Sequence, residues 1–137
     1  MRPRTVRILT NNPLVRLQYP GAEWVEGSPE NVLTAVRDSV HKGHGLLLHP
    51  SLGNLRPRQA YYRSFVISAR AEVGGAPASI FLLEDALEVL RGSGPPPSPP
   101  ERVTADLQAI DYDLLTTGLR RLHPSHYIPE GRTNPCA

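Results

Sequence analysis

The sequence predicts an α/β fold. Short β-branched runs alternate with segments of helical periodicity, most connections between them are brief, and one three-leucine run reads as a strand buried on both faces. Thr5-Val6-Arg7-Ile8-Leu9-Thr10 is apolar and β-branched and is halted by Asn11-Asn12-Pro13, which predicts a first strand ending in a turn. Asn12 suits a helix N-cap and Pro13 the first helical position, so Leu14 to Gln18 reads as a short helix that Tyr19-Pro20-Gly21 ends. A brief second strand follows near Ala22 to Glu26. The next helix carries the strongest local signals: Ser28 as cap, Pro29 in the first turn, Glu30 against the positive end, and Val32, Leu33, Val36 and Val40 spaced for one buried face. Gly43 ends it as a left-handed cap.

Leu46-Leu47-Leu48, between Gly45 and His49-Pro50, is the expected central strand. Residues 50 to 60 hold Pro50, Gly53, Asn54 and Pro57 with little periodicity, so they read as a loop long enough to carry function. Strand character resumes from Tyr62 to Ser68. A helix follows Pro77 with Ile80, Leu83, Leu87 and Leu90 on one stripe, ended by Gly92. Residues 92–100, rich in proline, cannot be helix or central strand and read as a semi-rigid connector. A last amphipathic helix is expected from about Arg102 to Leu122 on Val103, Leu107, Ile110, Leu114 and Leu122, and residues 123–137 read as an irregular tail. Together these elements predict a single-domain sandwich over residues 1–137, built on a small, mainly parallel, four-stranded Rossmann-like sheet with an extra C-terminal helix.

Composition narrows the function. At 137 residues, 39% hydrophobic and 20% charged, the chain belongs with globular domains. No run approaches the roughly 18 to 20 apolar residues that span a bilayer. The basic start at Arg2, Arg4 and Arg7 precedes a short apolar pulse rather than a secretory core, so a cytoplasmic protein without membrane contact is expected. The single cysteine, Cys136, offers no disulfide framework or thiolate cage. Residues 1 to 70 carry a net charge of +6 and residues 71 to 137 a net charge of −4. This split either steers an anionic ligand or lets the two halves attract each other. With only eight aromatic residues and no dense basic stripe, nucleic acid is not an expected partner.

Ligands of open parallel sheets bind beyond the carboxyl ends of the strands, so the residues that leave each strand are the candidates. Asn11 and Asn12 leave the first strand, where they serve either a ligand or simply a turn and a cap. The loop after the leucine run offers His49, Ser51, Gly53, Asn54 and Arg56, able to wrap a phosphate or carboxylate with main-chain N–H groups and a guanidinium. Histidine as a residue type suits proton transfer near neutral pH, so His49 reads either as a proton shuttle or as a buried histidine bonded to a backbone carbonyl. A second set comprises His41, Lys42, His44 and Tyr62. Lys42 is the lone lysine beside fourteen arginines, and at a helix C-terminus His41 and Lys42 also satisfy the macrodipole. His41 and His44 flank a glycine while His49 lies a strand away, which is not the spacing of a zinc site. No P-loop, dinucleotide fingerprint, serine elbow or His-Glu-x-x-His motif is present, so neither metal nor cofactor is expected.

Thr10-Asn11-Asn12-Pro13-Leu14-Val15, then Val36-Arg37-Asp38 with His41-Lys42-Gly43-His44, then His49 to Pro57, resemble in that order the GrdX family, small proteins encoded alongside the selenoenzyme glycine reductase complex. The resemblance covers roughly residues 5 to 70, and the Asp106 to Asp111 stretch is similar in a weaker way. It implies an accessory role beside glycine, sarcosine or betaine reduction and supplies no catalytic residues. The polyproline spacer and the extended tail depart from the family pattern. The leading expectation is a noncatalytic protein that holds a small anion, or the acidic segment of a reductase-complex partner, at the sheet edge. The alternatives are an enzyme using His49 or Lys42 on a small carboxylated or phosphorylated substrate, and a homodimerisation module built on the last helix.

Overall fold

A computed structural model describes residues 5–48, 60–72, 75, 77–94, 96–122 and 128–129. In chain order these form β1 (Thr5–Thr10), α1 (Pro13–Gln18), β2 (Glu23–Trp24), α2 (Pro29–His41), β3 (Ser64–Ser68), α3 (Pro77–Ser93), α4 (Glu101–Arg121) and the two-residue β4 (Ile128–Pro129). Local capping chemistry places the first helices. The Asn12 side chain accepts the N–H of Leu14 ahead of Pro13, and the Ser28 side chain accepts that of Asn31 ahead of Pro29. Gly43, at φ 109°, turns the chain out of α2 in a conformation that favours glycine.

The sheet corrects the expectation. It is a small mixed sheet of three main strands in the order β2-β1-β3, not a four-stranded, mainly parallel Rossmann-like one. β1 is the centre. β2 runs parallel to it through Leu9 and Thr10, while β3 runs antiparallel over five register pairs from Val6↔Ser68 to Thr10↔Ser64. β4 adds a short parallel pairing at Thr5 and Val6.

Leu46-Leu47-Leu48 is not the interior ribbon. It makes a single antiparallel bridge, Leu46↔Ile67, along the outer edge of β3, supported by Ser68 N–H to Gly45 O at 2.8 Å and Leu47 N–H to Val66 O at 2.9 Å. Phe65-Val66-Ile67, almost wholly buried, takes the place beside β1, whereas Leu47 remains 38% exposed. An apolar run of three residues carries no information about its partner or direction, and that is why the sequence reading misplaced it. Being antiparallel to β3, the segment nevertheless runs parallel to β1, and it leaves the sheet at the end where β1 delivers Asn11 and Asn12.

Period-2 alternation divides the core between the two faces. Leu9, Phe65 and Ile67 face α2 and α3 and pack with Leu33, Val36 and Leu87; Val6, Ile8 and Val66 face α1 and α4 and pack with Val15, Tyr19, Leu115 and Leu119. On the second face α4 is rotated from the expected stripe: Ile110 and Leu114 are exposed, while Asp111, Leu115, Thr116 and Leu119 are buried. The polar bonds of Asp111, described next, set that rotation.

Candidate functional site

Thr10 and Ser64 are register partners and point to the α4 face, so β1 ends and β3 begins with two hydroxyls side by side, Oγ1 to Oγ at 2.7 Å. Asp111 of α4 sits over them. Its Oδ2 accepts Ser64 Oγ–H at 2.7 Å and Asn12 Nδ2–H at 2.9 Å. With Asp111 ionised, Ser64 must donate to it, so Thr10 donates to Ser64 and is left to accept Asn12 N–H at 2.9 Å. The result is one directional chain of bonds from a turn through two strands to a helix. Asn12 also donates to Gln108 O at 2.9 Å, so the cap of α1 fastens α4 as well.

Asn11 points to the other face. Its Nδ2 donates to Gly27 O at 3.0 Å and Tyr61 O at 2.9 Å, and its Oδ1 accepts Arg63 N–H at 2.8 Å. Both asparagines are buried, and these bonds use them to join segments far apart in sequence.

Beside this network lies a cleft of about 530 Å³. Ser64 and Asp111 form part of its wall together with Tyr62 and Arg63, Leu48 and Ala60 stand on one side, and the α4 residues Leu114, Gly118 and Arg121 on another. Gly118 allows the close approach: a methyl group there would come within 2.7 Å of Leu48 Cδ1. Burial pushes the Asp111 carboxyl up from its usual 3.8 to about 6, against the opposing pull of Asn12, Ser64 and the Arg63 charge. Burial likewise lowers Arg63 from the ordinary guanidinium range to about 10, with Asp111 holding it up. The Arg63 guanidinium also stacks over Phe65, 5.0 Å from the ring centroid.

The sequence-derived candidates divide into three groups. Asn12 and Tyr62 belong to this network and cleft, with Asn11 directly behind it. His49, Ser51, Gly53, Asn54 and Arg56 lie outside the described residues. His41, Lys42 and His44 collect at the far end of β3. His41 Nε2 stands 3.5 Å from Glu84, and Lys42 caps α2. His44 Nε2 faces Arg7 at 3.4 Å and its Nδ1 faces Ser68 O at 2.8 Å. Since arginine only donates, His44 Nε2 accepts and Nδ1 donates, which makes the ring a tie between β1 and β3. The length of β3, roughly 13 Å at 3.3 Å per residue, separates this set from the cleft. Among the described residues no group of three or more His, Cys, Asp or Glu is arranged to hold a metal ion. No described helix is long and apolar enough to cross a membrane.

Sequence reading missed Asp111, although a signal was present. Residues 111, 115 and 119 recur every fourth position, so an acid heads an apolar stripe, and that pattern marks a buried carboxyl. Compared with known proteins, the chain matches the family model described as GrdX-like protein over residues 7–120. No curated protein and no solved structure matches it.

Proposed function

Because the chain belongs to the GrdX-like protein family, we propose that it is a noncatalytic accessory protein that holds a small anion-bearing ligand in the cleft between α4 and the meeting point of β1 and β3. The observation that carries this reading is a pair of buried opposite charges, Arg63 and Asp111, on the wall of a cleft of about 530 Å³. That size suits a small molecule. Burying a charge costs several kcal/mol unless something is gained, and perturbed ionisable groups in clefts mark functional sites more often than surfaces do.

Residues 49–59 join two positions of the cleft wall, Leu48 and Ala60, which supports assigning His49, Ser51, Gly53, Asn54 and Arg56 to the ligand. The resemblance to proteins encoded with glycine reductase supports that complex as the setting in which the ligand, or an acidic segment of a partner, is met.

Thermal-shift titration with inorganic phosphate, acetyl phosphate, glycine and nucleotides tests the reading, run on the wild-type chain and on Arg56→Ala. A true ligand at about a hundred times its Kd adds roughly 2.7 kcal/mol, a rise of several degrees in Tm, and the variant loses part of it. Absence of stabilisation by every compound and by purified reductase subunits would overturn it.

A further inference from the structure

On the side of the sheet away from the cleft, α3 presents an outer face that no other described element covers. Leu83, Leu87 and Leu90 turn inward to the core shared with α2 and the strands, yet apolar residues run round the rest of the helix as well. Phe81 is 75% exposed and Val89 50%, with Ala78 exposed and Leu82 half-buried beside them. Phe81, Asp85 and Val89 recur every fourth position, so the two apolar side chains stand about 12 Å apart along the helix with an acid between them. A helix that is apolar all round is ordinarily buried, and a contiguous apolar strip rimmed by charge marks an interaction surface. The charge here has one sign. Asp85 and Glu88 are exposed and have no ion pair among the described residues, because the nearby cations are engaged elsewhere, Arg91 with Glu30 at 2.8 Å and Arg37 with Glu84 at 3.9 Å.

That sign decides among occupants. An anionic membrane or a nucleic acid would meet like charge. A second copy docked through the same face about a two-fold axis would set acid against acid. A basic segment instead gains twice, from apolar cover and from ion pairs. We propose that the outer face of α3 is the docking surface for a basic amphipathic helix of a partner protein. Its apolar side chains, about seven or eight positions apart, match the spacing of Phe81 and Val89, and its lysines or arginines reach Asp85 and Glu88.

Fluorescence anisotropy of the full chain with two labelled peptides tests this. One is a helical peptide of about 18 residues, long enough to span α3, with leucines on one stripe and lysines flanking it. The other carries glutamate in place of each lysine. The lysine peptide is expected to bind about tenfold or more tighter than its glutamate counterpart, and Phe81→Gln to weaken it about tenfold. Joint Asp85→Lys and Glu88→Lys replacement is expected to invert the preference, so that the glutamate peptide becomes the tighter one. Leu17→Gln, at a leucine 73% exposed on α1, is expected to leave the affinity unchanged. All these positions lie at the surface, where substitutions rarely cost folding.

Equal binding of both peptides, full affinity retained in Phe81→Gln, loss in Leu17→Gln, or no binding of the lysine peptide overturns the proposal. So does a wild-type dimer that light scattering finds dissolved by Phe81→Gln, which gives the face to a second copy. Capture by phosphatidylserine vesicles that Phe81→Gln abolishes gives it to a lipid surface and overturns the proposal too. None of these outcomes touches the cleft reading, since α3 packs on the opposite face of the sheet from α4.

Discussion

Asn12 and Asp111 stand 99 positions apart in the chain and share a hydrogen bond of 2.9 Å. Burial, working against that bond, decides how Asp111 affects stability as a function of pH. The folded chain keeps the Asp111 proton up to about pH 6, whereas an ordinary aspartate releases it near 3.8. Between those values the unfolded chain binds fewer protons than the folded one, so the contribution of Asp111 to stability is lost as pH rises from about 4 to about 6, and levels off above. At about 1.4 kcal/mol per pH unit the loss is on the order of 2–3 kcal/mol. Asn at this position still accepts the Asn12 and Ser64 donors through its carbonyl oxygen and carries no charge. Urea denaturation at about pH 4, 5, 6 and 7 is therefore expected to show the Asp111→Asn variant gaining on the wild type by roughly that amount across the series. A constant difference would mean that the carboxyl titrates normally. Sequence reading reached Asn11 and Asn12 through their turn chemistry, which is local. It could not reach their partners, because a hydrogen bond to residue 111 leaves no trace near residue 12.

The elements that sequence reading placed well are those whose ends are chemically marked. Ser28-Pro29 opens α2 and Gly43 closes it, and both signals act within a turn of the helix they bound. The C-terminal ends of α2 and α3 make a paired prediction. Gly43 holds φ 109°, and a Cβ there would lie 2.7 Å from Glu72 O and 3.2 Å from Glu72 N, backbone atoms that cannot yield cheaply. Gly43→Ala is expected to cost on the order of 1–3 kcal/mol. Gly92 lies in the last turn of α3 without a left-handed φ, and a methyl group added there would meet nothing within 4 Å, so Gly92→Ala is expected to stabilise by up to about 1 kcal/mol. Thermal unfolding of both variants checks the opposite signs. The orientation of α4 was less legible. Val103, Leu107, Ile110 and Leu114 form a good apolar stripe in the sequence, yet Asp111 turns a neighbouring stripe inward because its carboxyl must meet Asn12 and Ser64. Periodicity ranks faces by hydrophobicity and is blind to a polar residue that is buried for its partners.

At the scale of the whole molecule, the direction of β3 is what the sequence did not show. Alternating elements suggest parallel pairing by default, but Phe65-Val66-Ile67 fits β1 equally well either way on local grounds, and only the tertiary arrangement selects the antiparallel register. The charge split proved partly internal: Arg37 to Glu84 at 3.9 Å and the attraction between Arg63 and Asp111 both join the basic half to the acidic one. The three strands also serve two cores at once, since Leu9 and Phe65 face α2 and α3 while Val6, Ile8 and Val66 face α1 and α4. Neither helical layer can come off without exposing apolar residues of the same strands that the other layer needs in place. Leu33 and Leu119, fully buried on opposite faces, probe this directly. Each Leu→Ala change leaves a cavity and is expected to lower stability by about 2–5 kcal/mol. Against a total of about 5–15 kcal/mol for a domain, either loss is measurable and survivable in a chain of middling stability. Because the sheet is shared, near-ultraviolet and far-ultraviolet circular dichroism are expected to lose signal at one common urea concentration in both variants. Two separated transitions in Leu119→Ala, with the α2 and α3 side outlasting the other, would show that the layers fold independently and that α4 is an appendage rather than half of the structure that holds the cleft.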